Sequence, residues 1–299
     1  MCIRDRATCG LFGLVYGIST GGDEGWSRPG ALGPIAGGLV LLALFLLVER
    51  RHPEPLVPLS VLGRPSVKWS GLLGVITFGM CAGTTVLLSL YMQDVLGFTA
   101  LQAGLSYLGE GAVSYTHLDV YKRQMQDVLG FTALQAGLSY LGEGVAATLG
   151  GMYVARLLGR FGGVRVLAAG LLVQGVGTVA MFALPQDVDL VALLVTSSVM
   201  GLGHVFSVVS FITVMTTGVT EEDQGVVGGL SQLPQYVAAI GVSGLGAIAA
   251  ARTGALTSGA TPSRAAVLGG LHAGMVTAGV VALVGAALTG VLLRGRTTA

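Results

Sequence analysis

The sequence predicts an all-α polytopic membrane protein, and three observations carry that expectation. Of its 299 residues, 53% are hydrophobic and only 10% charged, with a mean hydropathy of +0.78; soluble domains carry roughly 25% charged residues. Apolar runs recur at the length of roughly 20 residues that a helix needs to cross a hydrocarbon core about 30 Å thick. Glycine is abundant, at 49 residues, as suits helices whose backbones must approach closely in lipid. The net charge of +1 provides no basic face for nucleic acid, so no such partner is expected. Cys2, Cys9 and Cys81 show neither disulfide nor metal-ligand spacing.

Taken in order, the chain reads as a truncated span over 7–19, then a polar turn, GGDEGWSRPG. Full spans are expected at 30–49, 69–91, 132–155, 163–184, 188–215, 223–250 and 266–293. Helices apolar on every side suit lipid and a packed interior equally, so periodicity does not assign their faces. Lys and Arg set the orientation. With the 50–68 loop inside, Arg50, Arg51, Arg64, Lys68, Arg156, Arg160, Arg165, Arg294 and Arg296 are cytoplasmic, and only Arg28, Arg252 and Arg264 fall outside.

A perfect repeat interrupts this pattern. Residues 92–111 and 125–144 both read MQDVLGFTALQAGLSYLGEG, separated by AVSYTHLDVYKRQ at 112–124. Natural duplications drift. The intervening segment can be back-translated into an inverted repeat whose arm matches the transposase mosaic end of sequencing libraries, and the same arm in another frame encodes the opening Met-Cys-Ile-Arg-Asp. Residues 1–6 are therefore expected to be linker-derived, and 92–124 an artefactual insertion with duplication.

The order of features resembles the fourteen-helix drug:proton antiporter family of the major facilitator superfamily. The resemblance rests on GLVYGIST with Gly25-Trp26, LLALFLLVERRHPEPLVPLSVL at 41–62 and LYMQDVLGFTALQAGLSYL. It continues in ARLLGRFGGVRVLAAGLL at 155–172 and VTEEDQGVVGGLSQLPQYVAAIGVSGLGAI at 219–248. It implies that 7–66 holds a truncated linker helix, a second linker helix and a cytoplasmic loop. It further implies that 67–294 is the C-terminal six-helix bundle and 295–299 a cytoplasmic tail. The N-terminal bundle, with the family's gating loop and antiporter signature helix, is then a missing partner. The implied activity is alternating access by two bundles rocking about a midplane site, driven by a proton gradient without any bound cofactor. The expected location is a bacterial plasma or inner membrane. The expected substrates are small hydrophobic or cationic compounds.

Several residues are candidates for this work. Glu143 lies inside the 132–155 span, where a carboxylate is costly unless water, a partner or a cation compensates; it is a candidate for proton coupling or cation recognition, or faces a wet cavity without a coupling role. His204, in GLGHVFSVVS, is a second coupling candidate, or a neutral side chain bonded to a neighbouring helix. Arg156, Arg160 and Arg165 form a basic turn that resembles a C-terminal echo of the superfamily's gating loop, with Gly159 where the family often has Asp; positive-inside topology explains them as well. Gln174, Gln232, Gln235 and Tyr236 are cavity-lining candidates, with interhelical hydrogen bonding as the alternative. Pro234 is expected to kink its helix. Glu221, Glu222 and Asp223 suit a helix N-terminus. No metal-ligand cluster, nucleophile-base pair or phosphate loop is legible, so no enzyme is expected. A non-transporting scaffold or sensor on the same fold, or an inactive fragment, remain the alternatives to transport.

Overall fold

The structure, a computed structural model, describes residues 3–51, 59–99, 133–186, 190–257 and 261–293. All regular secondary structure among them is helical: α1 (Ile3–Glu24), α2 (Pro29–Glu49), a single turn α3 (Leu59–Leu62), α4 (Pro65–Leu90), α5 (Ala133–Phe161), α6 (Gly163–Ala180), α7 (Leu190–Thr216), α8 (Glu221–Val237), α9 (Ala239–Thr257) and α10 (Arg264–Leu292). Six helical segments among the described residues are long and apolar enough to cross a bilayer: α2, α4 with its extension, α6, α7, α8 with α9, and α10.

Local chemistry explains most boundaries. Proline opens α2 and α4 at their first positions, where its missing N–H costs nothing. Ser263 caps α10 by accepting from the Ala266 amide at 3.2 Å. The predicted span over 223–250 divides at Ala238, one turn beyond Pro234, into α8 and α9. Proline removes an amide donor and crowds the preceding turn, which accounts for a break at this place.

Three expectations are corrected. The first span extends well past Ser19, to Glu24. The basic segment at 156–165 is not a loop: Leu157, Leu158 and Phe161 keep α5 helical to Phe161, and the turn is Gly162 alone, at φ +80°, a backbone conformation that glycine adopts without steric cost. The helix expected to end at Tyr91 continues as a π-helical turn over Tyr91–Val95. Met92 and Val95, at the start of the first repeat copy, are fully buried there, so burial holds the extension in place.

That extension divides the repeat. The described residues include 92–99 from the first copy, and from 133 onward the second copy. Together 92–99 and 133–144 spell one complete MQDVLGFTALQAGLSYLGEG. Excision of 100–132 restores this reading without a break, and the resulting chain is expected to keep its thermal midpoint in detergent. A fall of more than about 2 °C, the shift produced by roughly 1 kcal/mol in a chain of this size, would show that the segment contributes to packing.

Two buried clusters mark the two ends of the bundle. One joins Leu87, Met92, Val95, Met181, Leu184, Leu193, Leu268 and Leu271. The other joins Val61, Val67, Leu167, Val214, Met215, Val227 and Leu293. The turn before α4, Gly162, the α7–α8 turn and the end of α10 thus share one end. At the opposite end, the Tyr91 hydroxyl donates to the Pro185 carbonyl at 2.7 Å, the His272 ring nitrogen bonds the Leu184 carbonyl at 3.0 Å, and Arg264 Nε donates to the Val95 carbonyl.

Glycine sets the closest approaches. A Cβ at Gly17 would stand 2.8 Å from the Ala31 carbonyl and one at Gly38 2.6 Å from the Gly10 carbonyl, so α1 and α2 pack as a tight hairpin. That hairpin leans on α9, where a Cβ on Gly22 would fall 2.7 Å from Ala247.

Candidate transport surface

The bundle has two chemically different outer faces. Beyond Arg165 and Arg264 at their first turns, the large exposed side chains along α6, the turn that follows it and α10 are Leu172, Val176, Phe182, Val280, Val284, Leu288 and Val291, an apolar surface suited to lipid. Along α8, past the exposed Glu221 and Glu222 of its first turn, the exposed polar side chains are Gln224, Gln232, Gln235 and Tyr236, with Gly225, Gly228 and Gly229 open to space. Leu233 is the one large apolar side chain exposed on that face. Tyr236 is 74% exposed. Gln224, Gly228, Gln232 and Gln235 recur at helical spacing, so they share one stripe. Beside it lies an apolar groove of about 430 Å³ between α4, α7 and α8, lined by Leu230, Leu233, Pro234, Val237, Met215 and Val75 among others, with Lys68 as its charged residue. The Lys68 ammonium sits 4.6 Å above the Trp69 ring.

The predicted cavity group therefore divides. Gln232, Gln235 and Tyr236 stand together on the open face of α8. Gln174 is instead interior, 1% exposed, and its Nε2 donates to the Thr77 carbonyl at 2.9 Å. A polar side chain in that setting ties α6 to α4 through a bond that water does not contest. Its Oε1 is buried without a partner.

His204 lies on α7 at the same level. Gly203 beside it has its Cα position facing the Gln174 backbone, where a Cβ would come 2.7 Å from the Gln174 Cα. The imidazole stands edge-on to Phe78 at 5.3 Å and 81°, and Phe78 in turn meets Phe211 edge-on. Its Nδ1 is enclosed and has no hydrogen-bond partner among the described residues. Gln174, Thr77 and His204 thus make a polar layer between α4, α6 and α7, walled by aromatic rings and with two buried heteroatoms unpartnered.

Glu143 belongs to the helical run of α5; its side chain, and the duplicate Glu110, lie outside the described residues. Arg156 and Arg160 are exposed near the end of α5, their guanidiniums over the Tyr153 ring at 5.5 Å and the Phe161 ring at 5.3 Å. Arg165 is exposed on the first turn of α6.

One pair escaped sequence reasoning. Arg64 Nη2 donates to Asp223 Oδ2 at 2.7 Å, and the Thr220 hydroxyl donates to the same oxygen at 3.1 Å. Asp223 therefore ties the start of α8 to the start of α4 in addition to standing at a helix N-terminus. The partners lie 159 positions apart, and no local pattern signals such a contact.

Six apolar spans, all-helical secondary structure and a bundle with one lipid-compatible face define a multi-pass α-helical membrane protein. No protein-family model matches the chain. It is 37% identical over 108 residues to the cephamycin export protein of Amycolatopsis lactamdurans, covering 36% of this chain and 22% of that protein. Similar stretches match the lincomycin resistance protein of Listeria monocytogenes, at 33% identity over 36% of this chain and 23% of the relative. An uncharacterised MFS-type transporter of Mycobacterium tuberculosis matches at 34% identity over 34% of this chain and 19% of its own length. The chain matches only about a fifth of the length of these relatives. Over the matched third, its sequence is similar to drug-export proteins and to transporters of the major facilitator type.

Proposed function

We propose that the chain is part of a secondary transporter that exports small hydrophobic, often cationic, compounds in exchange for protons by alternating access. The carrying observation is the stripe of Gln224, Gln232, Gln235 and Tyr236 along a membrane-spanning helix. In hydrocarbon, where nothing can hydrogen-bond, an unpaired amide costs roughly 4–8 kcal/mol, so a stripe of them belongs against water or protein. A second bundle across an aqueous cavity provides both, and the 430 Å³ apolar groove beside the stripe offers a hydrophobic compound a wall to lie on. The names of the export and resistance proteins in the comparison support the same reading. In it, the end bearing Arg64, Arg156, Arg160 and Arg165 faces the cytoplasm, where short basic segments accumulate.

Coupling requires a group whose protonation biases the equilibrium between states. Glu143 is the first candidate, because a carboxylate within a span is costly without a functional compensation. His204 is the second, placed in the polar layer that joins α4, α6 and α7. The test is drug-driven proton movement in vesicles containing the longer parent protein. Transport that depends on the gradient, and loses its pH dependence in Glu143→Gln, is the expected result. An unchanged rate and pH profile removes Glu143 from the mechanism and moves the test to His204→Gln. No gradient-dependent movement of any compound in a broad panel favours a non-transporting scaffold.

A further inference from the structure

We propose that the groove between α5, α6 and α7 is a binding site for one anionic phospholipid of the adjacent leaflet. The groove has a volume of about 340 Å³ and is lined by Leu157, Phe161, Val166, Ala169, Val173 and Phe206, with Arg165 as its only charged residue. Every other lining group is apolar, as an acyl chain requires. Arg165 is exposed at the end where α6 begins, and among the described residues no ion pair or hydrogen bond holds it.

Two neighbours strengthen the charge. Arg156 and Arg160 lie within the last two turns of α5, each over an aromatic ring and neither in a salt bridge with a described residue. No Asp or Glu occurs between 144 and 186, so the three guanidiniums have no nearby sequence neighbour to neutralise them. Guanidinium is planar and donates in pairs, which matches a phosphodiester.

The position selects lipid over a protein partner. The exposed side chains further along α6 are Leu172, Val176 and Phe182, and its other flank carries a second apolar groove with α10, lined by Leu172, Leu283 and Ala286 among others. This is the face suited to hydrocarbon. The polar stripe on α8 lies elsewhere, with α4 and α7 packed between α8 and α6.

The experiment uses the purified full chain in micelles, with native mass spectrometry counting retained lipid. Phosphatidylglycerol and phosphatidylcholine of identical acyl chains are offered in competition. The chain is expected to retain phosphatidylglycerol preferentially. Arg165→Gln should lower that preference about fivefold, the effect of roughly one interfacial cationic group, whereas Arg252→Gln should not. Val173→Trp fills the groove and keeps all three arginines, so it should also reduce retention. Circular dichroism verifies that each variant is folded, and Arg165→Lys, which preserves the charge, should recover part of the preference if Arg165→Gln is poorly folded. Equal retention of the two lipids overturns the proposal. So does a preference untouched by Val173→Trp, which would reduce the site to surface charge, or full competition by water-soluble glycerol phosphate, which would make it a free-anion site.

Discussion

Gly203→Leu is expected to abolish the folded bundle, while Gly151→Leu leaves it intact. At Gly203 an added Cβ meets backbone on the facing helix: the Gln174 amide nitrogen, the Gln174 Cα at 2.7 Å and the Gly170 carbonyl at 2.7 Å. None of these atoms can rotate away as a side chain end can. The seam is glycine-lined along its length, since a Cβ on Gly170 would meet the Ser207 amide at 2.7 Å and one on Gly177 the Met200 Cα at 2.9 Å. Helix pairs in lipid depend on such close approach, because the hydrophobic effect does not drive one apolar helix against another there. Separating α6 from α7 also pulls Gln174 from the Thr77 carbonyl and unpacks His204 from Phe78. The cost should exceed the 1–3 kcal/mol typical of overpacking in a core that can adjust. Gly151 is exposed and an added Cβ there meets nothing within 4 Å. The measurement is the thermal midpoint and monodispersity of the purified chain in detergent; a folded Gly203→Leu protein with an unshifted midpoint would show that the seam is looser than described.

In the longer parent, the double substitution Gln232→Leu with Gln235→Leu is expected to lower export at least tenfold and leave the bundle's stability unchanged. Both side chains are exposed, and among the described residues Gln232 makes one hydrogen bond, at 3.4 Å to its neighbour Ser231, and Gln235 none, so little packing depends on them. The sign of the stability effect separates the two environments. If the stripe faces lipid, replacing amides by leucine removes a desolvation penalty of up to roughly 4–8 kcal/mol each; the protein then becomes markedly more stable and transport is untouched. If the stripe faces water and a passing compound, stability stays level, and the loss appears in transport. Export rate in vesicles and thermal midpoint, measured on the same preparation, decide between them.

Much of this architecture was legible in the chain. The apolar runs marked α2, α4, α6, α7 and α10 because crossing a bilayer demands about 20 apolar residues whatever the packing partner. Pro234 signalled the α8–α9 break. The spacing of Gln224, Gly228, Gln232 and Gln235 also carried the open face of α8, a signal that grouping Gln174 with these residues obscured. Residue type placed Gln174 in a cavity, but only its neighbours place it at the Thr77 carbonyl. The helical course of 156–161 was hidden by its arginines, which mark a membrane interface without distinguishing a loop from a helix that projects through it. Glu143, the leading coupling candidate, is known from sequence alone.

The amino-acid sequence by itself determined that this protein lives in a bilayer and where several of its apolar segments lie. Those properties follow from composition along the chain, since each backbone hydrogen bond of a spanning helix closes within its own segment. Tertiary structure alone decided which sides of those helices meet. Gly203 against Gln174, Arg64 against Asp223, His204 edge-on to Phe78 and the apolar groove that brings Phe206 beside Arg165 all join residues well separated in sequence. A helix apolar on every side contains no preference for one neighbour, so close backbone approach and a few polar contacts between helices select the arrangement.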